Sequence, residues 1–216
     1  MQQQALRRFT GIPNAALLAE AAACVSAGGT LIFPTDTVYG IGCAPDDAAA
    51  IAAVFAAKHR SPEKPLSVHV ALAADALRFA LEPSRAMLTL MAQLWPGPLT
   101  IIARRAPGIA DAAAPGRTTI GLRCPDDDAC RAILAAVGPL AATSANFSGE
   151  SAYDGSDVDV SRLPDATLAL LKGPTSLRRE STVLDCSGAF VRVVRHGALA
   201  DDIIRAVLDG IAVLES

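Results

Sequence analysis

The sequence predicts an α/β protein: a twisted sheet of mixed parallel and antiparallel strands, flanked by helices. Three observations carry this. Short apolar runs alternate with alanine-rich stretches of helical length along almost the whole chain. The last apolar runs follow one another too closely for helical crossovers, which allows antiparallel pairing there. A composition of 51% apolar and 19% charged residues over 216 residues is that of a globular chain able to bury a large core without staples.

The elements follow in order. A helix spans about 14–27, after Pro13, and stops at Gly28-Gly29. TLIF is a buried strand, and PTDTVYGIG after it reads as a loop. PDDAAAIAAVFAAKH is a helix opened by Asp46 or Asp47 and ended by Pro62 and Pro65. LSVHVA is a strand, followed by helices at about 73–81 and 84–94. WPGP stops these before the strand LTIIARR. TIGLRCP is a strand, and the three acids of DDDACRAILAAVG suit the positive end of a helix dipole. LAATSANFSG is a short strand running into a polar turn, and 150–165 reads as a mobile stretch. TLALLKG, STVLDCSG and FVRVVRHGA are strands, and DDIIRAVLDGI is a closing helix. The whole chain, 1–216, is expected to form one domain, with its core at about 14–198 and a C-terminal helix at about 199–211.

A net charge of −3 argues against a nucleic-acid backbone as main partner, and 4% aromatics is sparse for stacking bases. The five cysteines contain no CxxC pair, which fits free thiols in a reducing compartment rather than a zinc site. Arg7 and Arg8 precede an apolar stretch, but Gly11, Pro13, Asn14 and Glu20 interrupt it as an export signal. No uninterrupted apolar run is long enough to span a bilayer. A cytoplasmic location is expected.

Five polar stretches exceed what folding needs. Thr35, Asp36, Thr37 and Tyr39 lie past a strand's C-terminal end, where open α/β sheets bind ligands; the plain alternative is a self-capped turn. Lys58, Arg60 and Lys64 cluster across a proline-stiffened loop, either as a solvated helix end or as an anion site. His69 alternates with Val68 and Val70. Arg123, on an apolar strand, needs a carboxylate, either one of Asp126 to Asp128 or a substrate's. Ser144, Asn146 and Ser148 follow a small-residue strand, and Ser181, Thr182 and Arg195 flank the last strands. The chain has no Walker-type loop, GxGxxG, GxSxG or HExxH. Phosphate would therefore be met by side chains directly. Together these stretches suggest a concave, positively charged site for a polyanion and a small polar molecule.

PTDTVYGIG, KHR as a K-x-R motif, PLSVHV, WPGPLT, GLRCP, SAN.SG, STVLD and VRHGA occur in this order. The set, from about residue 14 to about 198, closely resembles the YrdC/TsaC family of threonylcarbamoyl-AMP synthases in its single-domain branch. The resemblance implies a YrdC-like fold. It also implies condensation of L-threonine, bicarbonate and ATP to threonylcarbamoyl-AMP and pyrophosphate, with Mg²⁺ held mainly through the ATP phosphates. The product would pass to a tRNA threonylcarbamoyl transferase acting next to the anticodon; no membrane and little direct tRNA binding are implied. Lys58 and Arg60 would carry catalysis at the phosphates. Thr37, His69, Arg123, the backbone at Ala142, and Ser181 would contact threonine, with Thr35 and Tyr39 shaping the loop. Arg60, Lys64, Thr119, Ser144, Asn146, Ser151 and Arg195 would contact ATP. At Ser151 the sequence departs from the family pattern, reading ESAYDG where a small hydroxyl residue and a Pro-x-Thr-like segment are usual. Two rivals stand beside this reading. An RNA-binding module would show steep salt dependence of tRNA binding. A diverged paralogue would act on another carbamoyl-type substrate.

Overall fold

The computed structural model describes residues 4–61, 64–146, 153 and 164–215. Eleven strands among them form one sheet. In chain order they are β1 (Ala5–Arg8), β2 (Thr30–Phe33), β3 (Gly40–Cys43), β4 (Ser67–His69), β5 (Leu99–Arg104), β6 (Thr119–Arg123), β7 (Leu140–Ser144), β8 (Thr167–Leu171), β9 (Thr182–Asp185), β10 (Val191–Arg195) and β11 (Leu214–Glu215). Their spatial order is β1-β8-β2-β3-β7-β4-β6-β5-β9-β10-β11. Parallel pairs such as β2–β8, β4–β6 and β5–β9 mix with antiparallel pairs such as β2–β3, β4–β7 and β5–β6.

Five helices among the described residues cover the sheet: α1 (Ala15–Ser26), α2 (Ala48–Ala57), α3 (Arg85–Leu94), α4 (Asp128–Val137) and α5 (Asp201–Leu208). Asn14, Asp47, Ser84 and Asp127 each accept a backbone N–H in the first turn of α1, α2, α3 and α4, satisfying donors the helix cannot. Gly28, at φ +79°, turns the chain out of α1 toward β2.

Strand alternation decides which helix packs where. Leu31, Phe33, Leu140, Ala142, Leu168 and Leu170 meet Ala21 and Val25 of α1 and Ile133 and Leu134 of α4. The intervening residues Ile32, Ile41, Val68, Leu99, Ile101 and Leu122 join the larger core with α2, α3 and α5. The α1/α4 layer stops at β7. Beyond it, the residues sharing that face change from large apolar to small or polar: Ser67 and His69 on β4, Gly121 and Arg123 on β6, Thr100 on β5. Among the described residues, an uncovered half-face results.

Four expectations are corrected. Residues 40–43 of the opening loop are β3, because the loop is the turn of a hairpin in which Phe33 pairs Gly40. Residues 73–79 form a 3₁₀ turn rather than a helix reaching 81, since the chain leaves it to pair: Ala80 bridges Arg105, and Leu81 N–H donates to Arg104 O at 2.7 Å. The last strands do not lie together. β9 and β10 are antiparallel neighbours, but β8 is inserted between β1 and β2 on the far side of β3. The short end strands β1 and β11 carry too few residues to show a period.

Candidate active site

The uncovered half-face is the floor of a cavity of about 590 Å³. Ser67, Gly121, Thr100, Ile102 and Val183 pave it; Thr37, Tyr39 and Gly40 of the β2–β3 hairpin, Ala142 and Ser144 of β7, and Ser181 and Arg195 of the β9–β10 pair line it too. Gly121 is required at the floor, because a Cβ there would lie 2.6 Å from Ser67 Oγ. Among the described lining residues the fixed charges are Arg60, Lys64, Arg123 and Arg195 against Glu180.

The hairpin turn does what its plain reading requires and more. Thr35 Oγ1 accepts from the backbone N–H groups of Thr37 and Val38 and donates to Val38 O at 2.6 Å, capping its own turn. Asp36 accepts from Arg123 Nη2 at 2.6 Å, and Thr37 Oγ1 accepts from Nη1 at 2.7 Å. Ser176 Oγ and Leu177 N–H both donate to Asp36 O, and Thr175 Oγ1 donates to Thr37 O, so the segment after β8 clamps the turn from outside. The carboxylate expected for Arg123 is therefore Asp36. Asp126 and Asp128 hold Arg131 instead, and Asp127 holds Lys172 while capping α4. The pair is buried, and burial pushes the Asp36 carboxyl up against the downward pull of Arg123.

His69 pairs with Arg123 across β4 and β6, its ring edge-on to Phe33. Burial first, and Arg123 second, push its pKa down to about 3, so the ring is neutral at physiological pH; Nδ1 has no hydrogen-bond partner among the described residues. The unfolded chain binds this proton more strongly than the folded one. The stability His69 contributes is thus complete above about pH 6.5 and is lost as pH falls toward 3, by up to about 1.4 kcal/mol per pH unit. Urea melts across this window should show a shallower acid slope in His69→Asn than in the wild type; equal slopes would remove His69 as the cause.

Lys58 is 4% exposed and sits behind the lining. Its ammonium donates to Ser144 O and, at 3.4 Å, to Asn146 Oδ1, which also accepts from Ser144 Oγ. Burial and then Arg60 push its pKa down to about 8. Arg60 Nε and Nη2 donate to the carbonyls of Lys64 and Pro65, which fixes the cationic loop.

Of the residues expected at the site, Thr37, Arg60, Lys64, His69, Arg123, Ala142, Ser144, Ser181 and Arg195 converge on the cavity. Lys58 and Asn146 reach it through Ser144. Thr119 begins β6, two residues from Gly121, and is not part of the lining. Ser148 and Ser151 lie outside the described residues. Thr100 within WPGPLT and Glu180 immediately before Ser181 were not singled out from sequence as members of the site; Asp36 was, with its loop, but not as the partner of Arg123. An acid in the same loop as a hydroxyl pair was the available signal for Asp36.

The Sua5/YciO/YrdC family model, described as "Telomere recombination", matches residues 23–197. The chain is 33% identical over 202 residues to the threonylcarbamoyl-AMP synthase of Bacillus subtilis, covering 91% of this chain and 58% of that protein. It is also 33% identical over 203 residues to the threonylcarbamoyl-AMP synthase of Rattus norvegicus, covering 89% of this chain and 71% of that protein. The crystal structure of P. abyssi Sua5 complexed with L-threonine superposes with a TM-score of 0.85 at 26% identity, over 100% of this chain and 62% of that one. The chain thus spans about three fifths of the B. subtilis and P. abyssi proteins. A matched stretch running from within α1 to Gly197, two residues past the end of β10, takes in every described strand that lines the cavity, and the chain belongs to the Sua5/YciO/YrdC family.

Proposed function

We propose that the protein is an L-threonylcarbamoyladenylate synthase, consuming L-threonine, bicarbonate and ATP and releasing pyrophosphate. The observation that carries this is the convergence, in one cavity, of Thr37, His69, Arg123, Ala142 and Ser181 beside Arg60, Lys64, Ser144 and Arg195. The first group suits an amino acid: a guanidinium and hydroxyls for carboxylate and side chain, and a neutral imidazole near the amine. The second suits a polyphosphate. The L-threonine complex of P. abyssi Sua5 supports the same reading.

The chemistry needs little from the protein beyond placement and charge. The uncharged threonine amine attacks the carbon of bicarbonate; a C–N bond forms and water leaves, giving the carbamate. A carbamate oxygen then attacks the α-phosphorus, and the P–O bond to pyrophosphate breaks. Two anions must approach, and Arg60, Lys64 and Arg195 offset their repulsion. Among the described residues, no group of three or more His, Cys, Asp or Glu side chains could hold a metal ion. Glu180, the lining carboxylate, is already paired with Arg195. We take Mg²⁺ to arrive on the ATP phosphates, where it would supply charge neutralisation. The mixed anhydride would pass to a transferase that modifies tRNA next to the anticodon.

Purified protein with ATP, Mg²⁺ and bicarbonate is expected to release pyrophosphate only when threonine is added. Release without threonine, or ATP binding with no release, would replace this reading with that of a relative acting on another substrate.

A further inference from the structure

WPGPLT joins the end of α3 to the start of β5. Its Thr100 is 5% exposed, lies on β5 and stands on the cavity floor. The Thr100 hydroxyl is 2.8 Å from that of Ser181. Arg195 Nη2 donates to the same Ser181 hydroxyl at 3.1 Å, while its Nε and Nη2 donate to the Ser181 carbonyl at 3.1 and 2.8 Å. Glu180 holds Arg195 Nη1 at 2.8 Å. The Thr100 methyl faces the other way, 3.4 Å from where a Cβ on Gly121 would be. A β-branched side chain has few χ1 settings, and the hydrogen bond to Ser181 selects one that turns the methyl toward Gly121. The sheet does not ask for a hydroxyl here. Leu99, Ile101, Ile102 and Ala103 surround Thr100 on β5, and valine would satisfy the strand equally well.

A serine hydroxyl has one proton and two lone pairs. Arg195 fills one lone pair of Ser181. If Thr100 donates into the other, the Ser181 proton has only the cavity left to point into. We propose that Thr100 is a positioning residue: by donating to Ser181 it makes Ser181 an obligate donor toward an acceptor oxygen of the amino-acid substrate. The inference rests on the threonine-dependent reading above. It also links the amino-acid and nucleotide halves of the site, since Ser181 and Arg195 are held as one unit.

The test is calorimetric binding of L-threonine and of ATP to the wild type, T100V, T100S, S181A and T100V/S181A, with melting temperatures for each. T100V is expected to bind threonine about tenfold more weakly, as loss of one well-placed hydrogen bond would give, with ATP affinity within about twofold of wild type. T100S keeps the hydroxyl and should bind threonine within about twofold of wild type. In the S181A background, T100V should add less than about twofold. Equal weakening for both ligands, unchanged threonine binding, or a T100V effect that persists without the Ser181 hydroxyl would each overturn the proposal. Should T100V fail to fold, T100A carries the same expectations. A wild type that binds no threonine would instead overturn the functional reading, with Thr100 playing no part in that outcome.

Discussion

Arg123→Leu is expected to lower the unfolding free energy by about 3–5 kcal/mol and to abolish threonine binding. The size follows from what remains behind. Arg123 and Asp36 are 4% and 3% exposed, and the second carboxylate oxygen of Asp36 has no hydrogen-bond partner among the described residues. Removing the guanidinium strands a buried carboxylate and deprives Thr37 of its donor. Arg123→Lys should recover little, because a single ammonium cannot span Asp36 and Thr37 as two guanidinium nitrogens do. Asp36→Asn combined with Arg123→Leu should recover part of the stability, since no unpaired charge is left, and none of the binding. Urea unfolding and calorimetry separate the two quantities. Unchanged stability in Arg123→Leu would mean that the pair is not formed in solution.

Lys58→Met is expected to do the opposite: cut pyrophosphate release at least about a hundredfold while leaving the fold as stable as before or more so. An ammonium in a buried site carries a desolvation cost, which methionine of similar length avoids. What methionine cannot do is hold Ser144 O and Asn146 Oδ1 together. Ser144 lines the cavity, so a loosened turn would misplace the proposed nucleotide contact, and small misplacements cost rate steeply. The substitution has a pH signature. Lys58 is depressed to about 8 from an ordinary 10.5, so the unfolded state binds more protons between these values and the wild type gains stability as pH rises through them. Lys58→Met should lack that rise. Wild-type turnover in Lys58→Met, with or without the pH effect, would remove Lys58 from the reaction.

The sequence was most informative where a residue type was costly in its setting. A guanidinium between apolar strand residues announced a partner, and two of the cations gathered on a proline-stiffened loop, Arg60 and Lys64, line the cavity. The identity of the partner was less legible. Asp126 to Asp128 are near Arg123 along the chain, but Asp36 is near it in space, because β6 and the β2–β3 hairpin face the same cavity. Strand existence could be read from apolar runs, yet the position of β8 between β1 and β2 could not. The ties that set it, from Thr175, Ser176 and Leu177 to the hairpin turn, involve hydroxyls and a backbone N–H that any loop might carry. Thr100 was hidden for a similar reason: a threonine is an ordinary strand former, and only its partner across the sheet distinguishes it.

The β5–β9 pairing has a consequence in time. Leu99 pairs with Thr182 and Ile102 with Asp185, so the strand beside Ser181 waits for a partner made far later in synthesis. Closing so long a loop costs entropy before any contact repays it. A nascent chain can build the β2–β3 hairpin and α1 early, yet its floor has an open edge at β5 until β9 and β10 emerge. Binding competence is thus acquired as a single late event, when the segment carrying both Ser181 and Arg195 docks, rather than gradually as the polypeptide lengthens.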